Sequence, residues 1–373
     1  MFKSGLLNKY KENEFFEKID LYFANFIASL NNQFQDEIFL ITAFLSKKSR
    51  EEGKVFVGLK EITSEIGQTE IFSDLKLAPF FDWEGFLRQA HGFSAKAYTP
   101  IIFTKDANLY LYRYWEYEKE INLKINQLAS IDHASKPSDL KLSGNDFWQN
   151  QALLLALKKD FLIITGGPGT GKTTIIIKIL DLFSELGLNL RTVIAAPTGK
   201  AAQRITQNLS QHDSSVKSEM PLKKAITIHR LLGAKNYSSK FTYNQENKLP
   251  YDLFIIDEAS MIDLPLFYQL ILALPDQSKL ILLGDKNQLG PVNIGSVFSD
   301  LCEQKSLTEN IVELKENYRL RANPAILKMS QSINQGNDAG FFELCNQGND
   351  LNWQTLPNFV DLKKELEKLV LPF

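Results

Sequence analysis

The sequence predicts an α/β protein: a parallel sheet with helices on both faces, preceded by a small, mostly helical N-terminal domain. Three observations predict it. Short runs rich in Ile, Val and Leu recur at 161–165, 192–196, 253–256 and 280–283. Helical stretches separate these runs, the rhythm of strand–helix–strand units that build a parallel sheet. Each run is continuously apolar rather than alternating, as a strand covered on both faces must be.

Before residue 147 the pattern is different. Residues 1–125 read as helical pieces followed by short strands. The stretch 36–45 places apolar residues at helical spacing, and Gly53 breaks the chain after the next charged run. Residues 98–103 and 109–112 read as two strands around a turn at Lys105-Asp106-Ala107-Asn108. A helix starts in Tyr114-Trp115-Glu116-Tyr117, an aromatic cluster that reads first as core packing and second as a base- or partner-binding surface. Residues 126–145, rich in Ser, Pro, Asp and Gly, read as a linker. The sheet domain is assigned to 146–318. Within it, 233–250 alternates polar and aromatic residues and reads as a small hairpin insertion.

At 373 residues the chain is long enough for two or three domains. With 44% hydrophobic and 23% charged residues it has the composition of a soluble globular protein. A formal charge of −2 argues against coating nucleic acid by bulk attraction, so any nucleic-acid contact needs a local groove. Cys302 and Cys345 form no metal-ligand pair and no disulfide framework, as expected of a reducing cytoplasm. The histidines His91, His133, His212 and His229 are scattered, which argues against a zinc site. No run of 18 apolar residues suits a bilayer.

The chemistry concentrates at strand ends. Gly166-Gly167-Pro168-Gly169-Thr170-Gly171-Lys172-Thr173 follows the first apolar run and precedes a helix over 174–186, the context that makes a P-loop a physical site. Glycines let backbone N–H groups converge on phosphate oxygens, and the helix N-terminus adds its dipole. The expected nucleotide contacts are Gly167, Gly169, Thr170, Gly171, Lys172, Thr173 and Thr174. Lys172 is expected to reach the β- and γ-phosphates of ATP, and Thr173 to ligate Mg²⁺. Asp257-Glu258 ends the run 253–256, at the carboxyl edge where α/β sheets bind ligands. Such a pair alone is more often a helix cap; downstream of a P-loop, Asp257 is expected to hold the Mg²⁺ hydration shell and Glu258 to deprotonate the attacking water. Gln288, in Gly284-Asp285-Lys286-Asn287-Gln288, is placed to sense the γ-phosphate. Pro197, Thr198, Gly199 and Lys200 join the second run to a helix, with small residues, a hydroxyl and a lysine suited to a nucleic-acid backbone. Thr227 and His229 carry the same reading, though His229 alone is better explained as a packed or hydrogen-bonded histidine. Asn317-Tyr318-Arg319 sets a ring beside a guanidinium: Tyr318 can stack on a base, and Arg319 can stabilise a transferred phosphoryl group.

The order of these pieces is GGPGTGKT, APTGKAA, TIHRLLG, IIDEASM, GDKNQLGPV and ENYR. It resembles motifs I, Ia, Ib, II, III and IV of superfamily 1 helicases, and most closely the RecD-type helicases, the α subunit of exodeoxyribonuclease V. The resemblance implies a RecA-like ATPase fold and a 5′-to-3′ single-stranded DNA translocase acting in double-strand-break repair and recombination, with RecB-like and RecC-like partner subunits. Phe147-Trp148-Gln149 resembles the Q motif, which implies that Gln149 contacts adenine. LYLYRYWEYE at 109–118 resembles the end of the RecD N-terminal domain, implying that 1–125 docks onto a RecC-like subunit. Where the family reads Gln-Leu-Pro-Pro, Gly290 replaces the first Pro. No match to motifs V and VI follows, so 319–373 is expected to begin an incomplete second RecA-like domain. A truncated chain of this kind is expected to bind Mg-ATP, hydrolyse it slowly and unwind nothing by itself. Two other classes remain: a P-loop ATPase acting on a non-nucleic-acid substrate, which predicts no stimulation by DNA, and a nucleotide-binding scaffold, which predicts that Glu258→Gln keeps function.

Overall fold

The computed structural model describes residues 5–10, 14–94, 98–133, 146–212, 224–235, 240–318, 324–334 and 336–346. Most of the expected linker, 134–145, lies outside them. Two compact units divide the chain: Met1–Gly166 with Lys172–Leu314, and Gly167–Gly171 with Lys315–Phe373.

The first unit opens with α1 (Gly5–Tyr10), α2 (Lys18–Ser29) and α3 (Gln35–Glu51). There follow β1 (Phe56–Gly58), α4 (Leu59–Gln68), α5 (Trp83–Leu87), β2 (Phe93–Ser94), β3 (Ile101–Phe103) and β4 (Asn108–Leu111). The four strands make a sheet in the order β1-β4-β3-β2. The expected turn between two strands is present: Ile101 pairs with Leu111 and Phe103 with Leu109, and Ala107 turns with φ 57°. A core of Phe39, Phe44, Trp83, Ile62 and Leu109 fixes the helices on this sheet. The aromatic rings pack edge to face, Phe16 on Phe44 at 5.3 Å and Phe15 on Phe72 at 5.5 Å. Asp20, fully buried on α2, survives there because Ser46 and Arg50 on α3 donate to it at 2.6 and 2.8 Å.

The same unit then builds α6 (Tyr112–Ala129), α7 (Phe147–Lys158), β5 (Phe161–Thr165), α8 (Lys172–Glu185), β6 (Thr192–Ala196), α9 (Gly199–His212), β7 (Ile226–Thr227) and α10 (Ile228–Leu231). β8 (Leu253–Ile256), α11 (Leu264–Ala273), β9 (Lys279–Gly284), α12 (Val297–Glu303) and β10 (Ile311–Glu313) complete it. Six strands form one sheet in the order β10-β5-β9-β8-β6-β7, parallel throughout. Alternate residues of each strand enter opposite layers. Phe161 and Ile163 bury with Phe254 and Leu280 under Ile121, Ile125, Phe267 and Leu270 of α6 and α11. Leu162 and Ile164 bury with Ile255 and Ile281 under Ile175, Ile179 and Ala152 of α8 and α7. Two apolar faces per strand explain why these runs are continuous rather than alternating. Each such buried Ile, Leu or Phe contributes about 1.5–3 kcal/mol. α6 is one of the covering helices: its Tyr117 stacks on Tyr268 of α11 with centroids 4.0 Å apart.

Among the described residues of the expected hairpin over 233–250 no strand is assigned, and 236–239 lie outside them. Thr242 N and Tyr243 N donate to Gly233 O and Leu232 O at 3.2 and 3.0 Å, and the Asn244 side chain accepts from Glu246 N at 2.9 Å and Asn247 N at 3.2 Å in an Asx turn. Among the described residues no helix is long and apolar enough to cross a membrane.

In the second unit, α13 (Pro324–Asn334) and α14 (Asp338–Asn346) are described. Gly336 (φ 63°) turns the chain between them, its N–H reaching Ile333 O at 3.1 Å.

Candidate nucleotide and nucleic-acid site

The parallel pairing brings the carboxyl ends of β5, β9, β8 and β6 to one edge, and each end delivers a charged group. β5 leads to Lys172 at the start of α8, β8 to Asp257 and Glu258, β9 to Asp285, and β6 through α9 to Arg204. Gly166 N donates to Gly284 O at 3.1 Å, which ties the first two strand ends together. Lys172 Nζ donates to Gly166 O at 2.6 Å. Burial pushes the Lys172 pKa down, against the pull of the Asp285, Glu258 and Asp257 carboxylates. The ammonium thus lies within the electrostatic reach of three acids.

Asp257 is buried at 5% exposure. Its N–H reaches Ala195 O on β6 at 2.9 Å, and its Oδ1 accepts from Glu258 N at 2.9 Å. Burial raises its pKa to about 6; the Glu258 N–H lowers it, the Glu258 charge raises it, and Lys172 and Arg204 lower it. Glu258 itself has φ 53° and ψ 38°, a left-handed conformation uncommon outside glycine. Such strain costs on the order of 1–3 kcal/mol and gathers at working sites. It starts the tight turn 259–261, with Met261 N donating to Glu258 O at 3.0 Å.

Asp285 is buried at 3% exposure and organises the next loop. Its Oδ1 accepts from Asn287 N at 3.0 Å and its carbonyl from Gln288 N at 3.2 Å, while Lys286 N donates to Thr165 Oγ1 at 3.2 Å. The Gln288 side chain is exposed. Gly284 is required for space: a Cβ there would lie 2.7 Å from the Phe298 ring. Thr173 is half-buried and Thr174 exposed on the first turn of α8.

The loop Gly167–Gly171 lies in the second unit. Gly169 and Gly171 have φ of 85° and 87°, open to glycine and costly for other residues. Thr170 Oγ1 donates to Gly167 O at 2.8 Å. Asn317 Nδ2 reaches Pro168 O at 2.9 Å, and Tyr318 N reaches Gly169 O at 2.9 Å. Tyr318 is 39% exposed. Arg319 lies outside the described residues.

Gln149 is buried on the first turn of α7, which Asp146 caps by accepting from Trp148 N at 2.9 Å and Gln149 N at 3.2 Å. Its Oε1 accepts from Lys178 Nζ at 2.7 Å. The nucleic-acid candidates occupy the β6–β7 side of the edge, where Ala196 pairs with Thr227. Thr198 Oγ1 accepts from Ala201 N and Thr227 Oγ1 from Arg230 N, each at 3.2 Å, so both hydroxyls cap helices. Pro197 is half-buried, while Gly199 and Lys200 are exposed. His229 is exposed, its ring 6.1 Å from that of Phe241.

Residues 12–110 match the N-terminal domain family of the RecBCD enzyme subunit RecD, and residues 149–293 match an AAA domain family. The chain is 30% identical over 372 residues to the RecBCD enzyme subunit RecD of Mycolicibacterium smegmatis, covering 96% of this chain and 64% of that one. The RecBCD enzyme subunit RecD of Haemophilus influenzae is 32% identical over 341 residues, covering 80% and 53%. The ATP-dependent RecD2 DNA helicase of Deinococcus radiodurans is 32% identical over 247 residues, covering 62% and 31%.

The chain is similar to RecD proteins along nearly its whole length.

It spans between about half and two thirds of the length of the RecBCD subunits it matches. The P-loop fold of this chain is a nucleotide-binding fold. Two charged residues at the edge were not singled out from the sequence. Asp285 carried the same signal as Asp257, an acid ending an apolar run, but stood inside a segment read for Gln288. Arg204 carried no signal, because only the fold of α9 brings it into the field of Lys172 and Asp257.

Proposed function

We propose that this chain is the ATP-driven motor portion of a 5′-to-3′ DNA helicase, a subunit of an exodeoxyribonuclease V-like assembly acting in double-strand-break repair. One observation carries the reading: the strand ends that lead to Lys172, Asp257, Glu258 and Asp285 meet at the carboxyl edge of one parallel sheet, where all three acids act on the Lys172 charge. An ammonium within reach of three acids suits a site that receives both a polyphosphate and a divalent cation. The donor set fits Mg²⁺, since the Thr173 hydroxyl and the Asp257 carboxylate are hard oxygen ligands. Bound there, the ion neutralises charge on the phosphate oxygens.

In this reading Lys172 turns from the Gly166 carbonyl to the β- and γ-phosphates of ATP. The N–H groups of Gly167, Gly169, Thr170 and Gly171 and the start of α8, at Thr173 and Thr174, hold the remaining oxygens. Glu258, in its left-handed conformation after Asp257, accepts the proton of the attacking water. Gln288 senses the γ-phosphate, Gln149 meets the adenine and Tyr318 flanks the base. Arg319 steadies the charge of the transferred phosphoryl. Pro197, Thr198, Gly199, Lys200, Thr227 and His229 line the DNA path one strand pair away. The N-terminal region docks onto a RecC-like subunit, with a RecB-like subunit in the same cytoplasmic assembly. Support comes from relatives named as RecBCD enzyme subunits and as an ATP-dependent DNA helicase.

The test is ATP turnover with and without single-stranded DNA. DNA is expected to stimulate turnover. Lys172→Ala is expected to lose Mg-ATP binding, and Glu258→Gln to keep binding while turnover falls at least a hundredfold. A folded protein indifferent to Mg-ATP would sink the motor reading, and turnover indifferent to DNA would move it to another substrate.

A further inference from the structure

The loop 285–296 leaves the catalytic edge at Asp285, carries Gln288, and re-enters the fold at α12. Its near end is tied down by Thr165 and Asp285, as described above. Its middle stands free of the core, with Leu289 95% exposed and Val292 fully exposed. Its far end is held by the N-terminal region. Gly295 N donates to Gly53 O at 3.1 Å, and Gly295 adopts φ +86°. A Cβ at Gly295 would lie 2.7 Å from Leu264 Cβ and 3.1 Å from Val55 Cγ2. The contact therefore has no slack.

The segment that leaves Glu258 ends at the same point. Leu264 N donates to Ile294 O at 3.0 Å, and Asn293 Nδ2 to Asp263 Oδ2 at 2.7 Å. Asp263 also caps α11 through Leu266 N at 2.8 Å. On the N-terminal side the turn is stiff: Ser49 Oγ donates to Lys54 O at 2.9 Å, and Lys54 pairs with Glu61 at 2.6 Å. Both segments that exit the acidic edge thus converge on one rigid turn.

We propose that the Gly53–Val55 turn positions the Gln288 loop, so that the N-terminal region sets how the loop responds to nucleotide. Gly53, Val55 and Gly295 are positioning residues; none reaches the reacting atoms. A partner that moved the N-terminal region would act on turnover through this contact. The inference rests on the motor reading for its kinetic consequence, but not for its structural one.

The experiment uses the full chain with Gly295→Ala, Val55→Ala and Gly53→Asn, the last tolerating a left-handed φ and keeping the carbonyl acceptor. Amide exchange over 286–293 is expected to rise at least fivefold in Gly295→Ala and Val55→Ala, with β8 and β9 amides within twofold of wild type. Gly53→Asn is expected to behave as wild type. DNA-stimulated kcat is expected to fall at least threefold in the first two variants at unchanged KM for ATP. Val55→Ala covers the case in which Gly295→Ala fails to fold. Unchanged exchange over 286–293 in Val55→Ala overturns the proposal, and so does a uniform rise that includes β8 and β9. If wild type shows no DNA-stimulated turnover, the motor reading has failed, and the exchange result still decides this one.

Discussion

Glu118 makes the contact region between α6 and α12 sensitive to pH. It faces a cavity of about 470 Å³ that Tyr110, Trp115, Lys119 and Asp300 also line. Burial raises its carboxyl from 4.5 to about 7, the Asp300 charge raises it further, and the Tyr110 hydroxyl bond lowers it. The fold therefore favours the protonated acid. Its contribution is fully present below about 4.5 and is lost as pH climbs through about 7. At about 1.4 kcal/mol per tenfold change in proton affinity, the bound is roughly 3 kcal/mol. Glu118 is only partly buried, and screening reduces that to about 1–2 kcal/mol. Glu118→Gln keeps the neutral shape at every pH. The assay is denaturant unfolding of wild type and variant at pH 5 and pH 8. The two are expected to match at pH 5, with the variant more stable by about 1–2 kcal/mol at pH 8. Asp300→Asn is expected to recover part of the same gain, because it removes a charge that raises the Glu118 carboxyl. A variant gain of equal size at both pH values, or a loss at pH 8, would refute the reasoning.

Two further substitutions probe the strand ends. Gly284→Ala drives a methyl into the Phe298 ring, and the overpacking is expected to cost about 1–3 kcal/mol in unfolding free energy, partly recovered by Phe298→Leu. Ser260→Ala is expected to stabilise the protein by about 1 kcal/mol, since the buried Ser260 hydroxyl has no hydrogen-bond partner among the described residues; a loss of stability would refute this.

The four long strands and the P-loop context were legible because burial on both faces leaves an unmistakable apolar run, and because a turn built of glycines has few other uses. β7 and β10 were not, since two or three residues carry no period. α6 was legible as a helix, but not as a cover for the motor sheet. Its buried stripe of Ile121, Ile125 and Leu128 fixes a face and leaves the partner of that face open. Over 233–250 the backbone of Thr242 and Tyr243 bonds back to Gly233 and Leu232, and Asn244 adds an Asx turn, with no strand assigned among the described residues. At the site, Lys172, Asp257 and Glu258 followed from order along the chain. Arg204 needed the fold, because it lies just past the APTGKAA stretch and only α9 brings its charge into the field of Lys172 and Asp257.

The unfavourable features of the edge fall within a few residues of one another. Glu258 is held left-handed, Ser260 is buried without a partner among the described residues, Lys172 is desolvated, and Asp257 is pushed up to about 6. The Gly166 carbonyl and the Glu258 N–H offset part of the cost at Lys172 and Asp257. These features persist because the surroundings over-determine them: Ala259, Ile262 and Leu264 are buried, and Asp263 and Ile294 pin the exit. A sheet whose strand ends were selected for stability alone would not bring three carboxylates within reach of an ammonium. The cost is consistent with charges kept ready for a polyanion and its cation, and it places the rigid support for that readiness at the turn around Gly53.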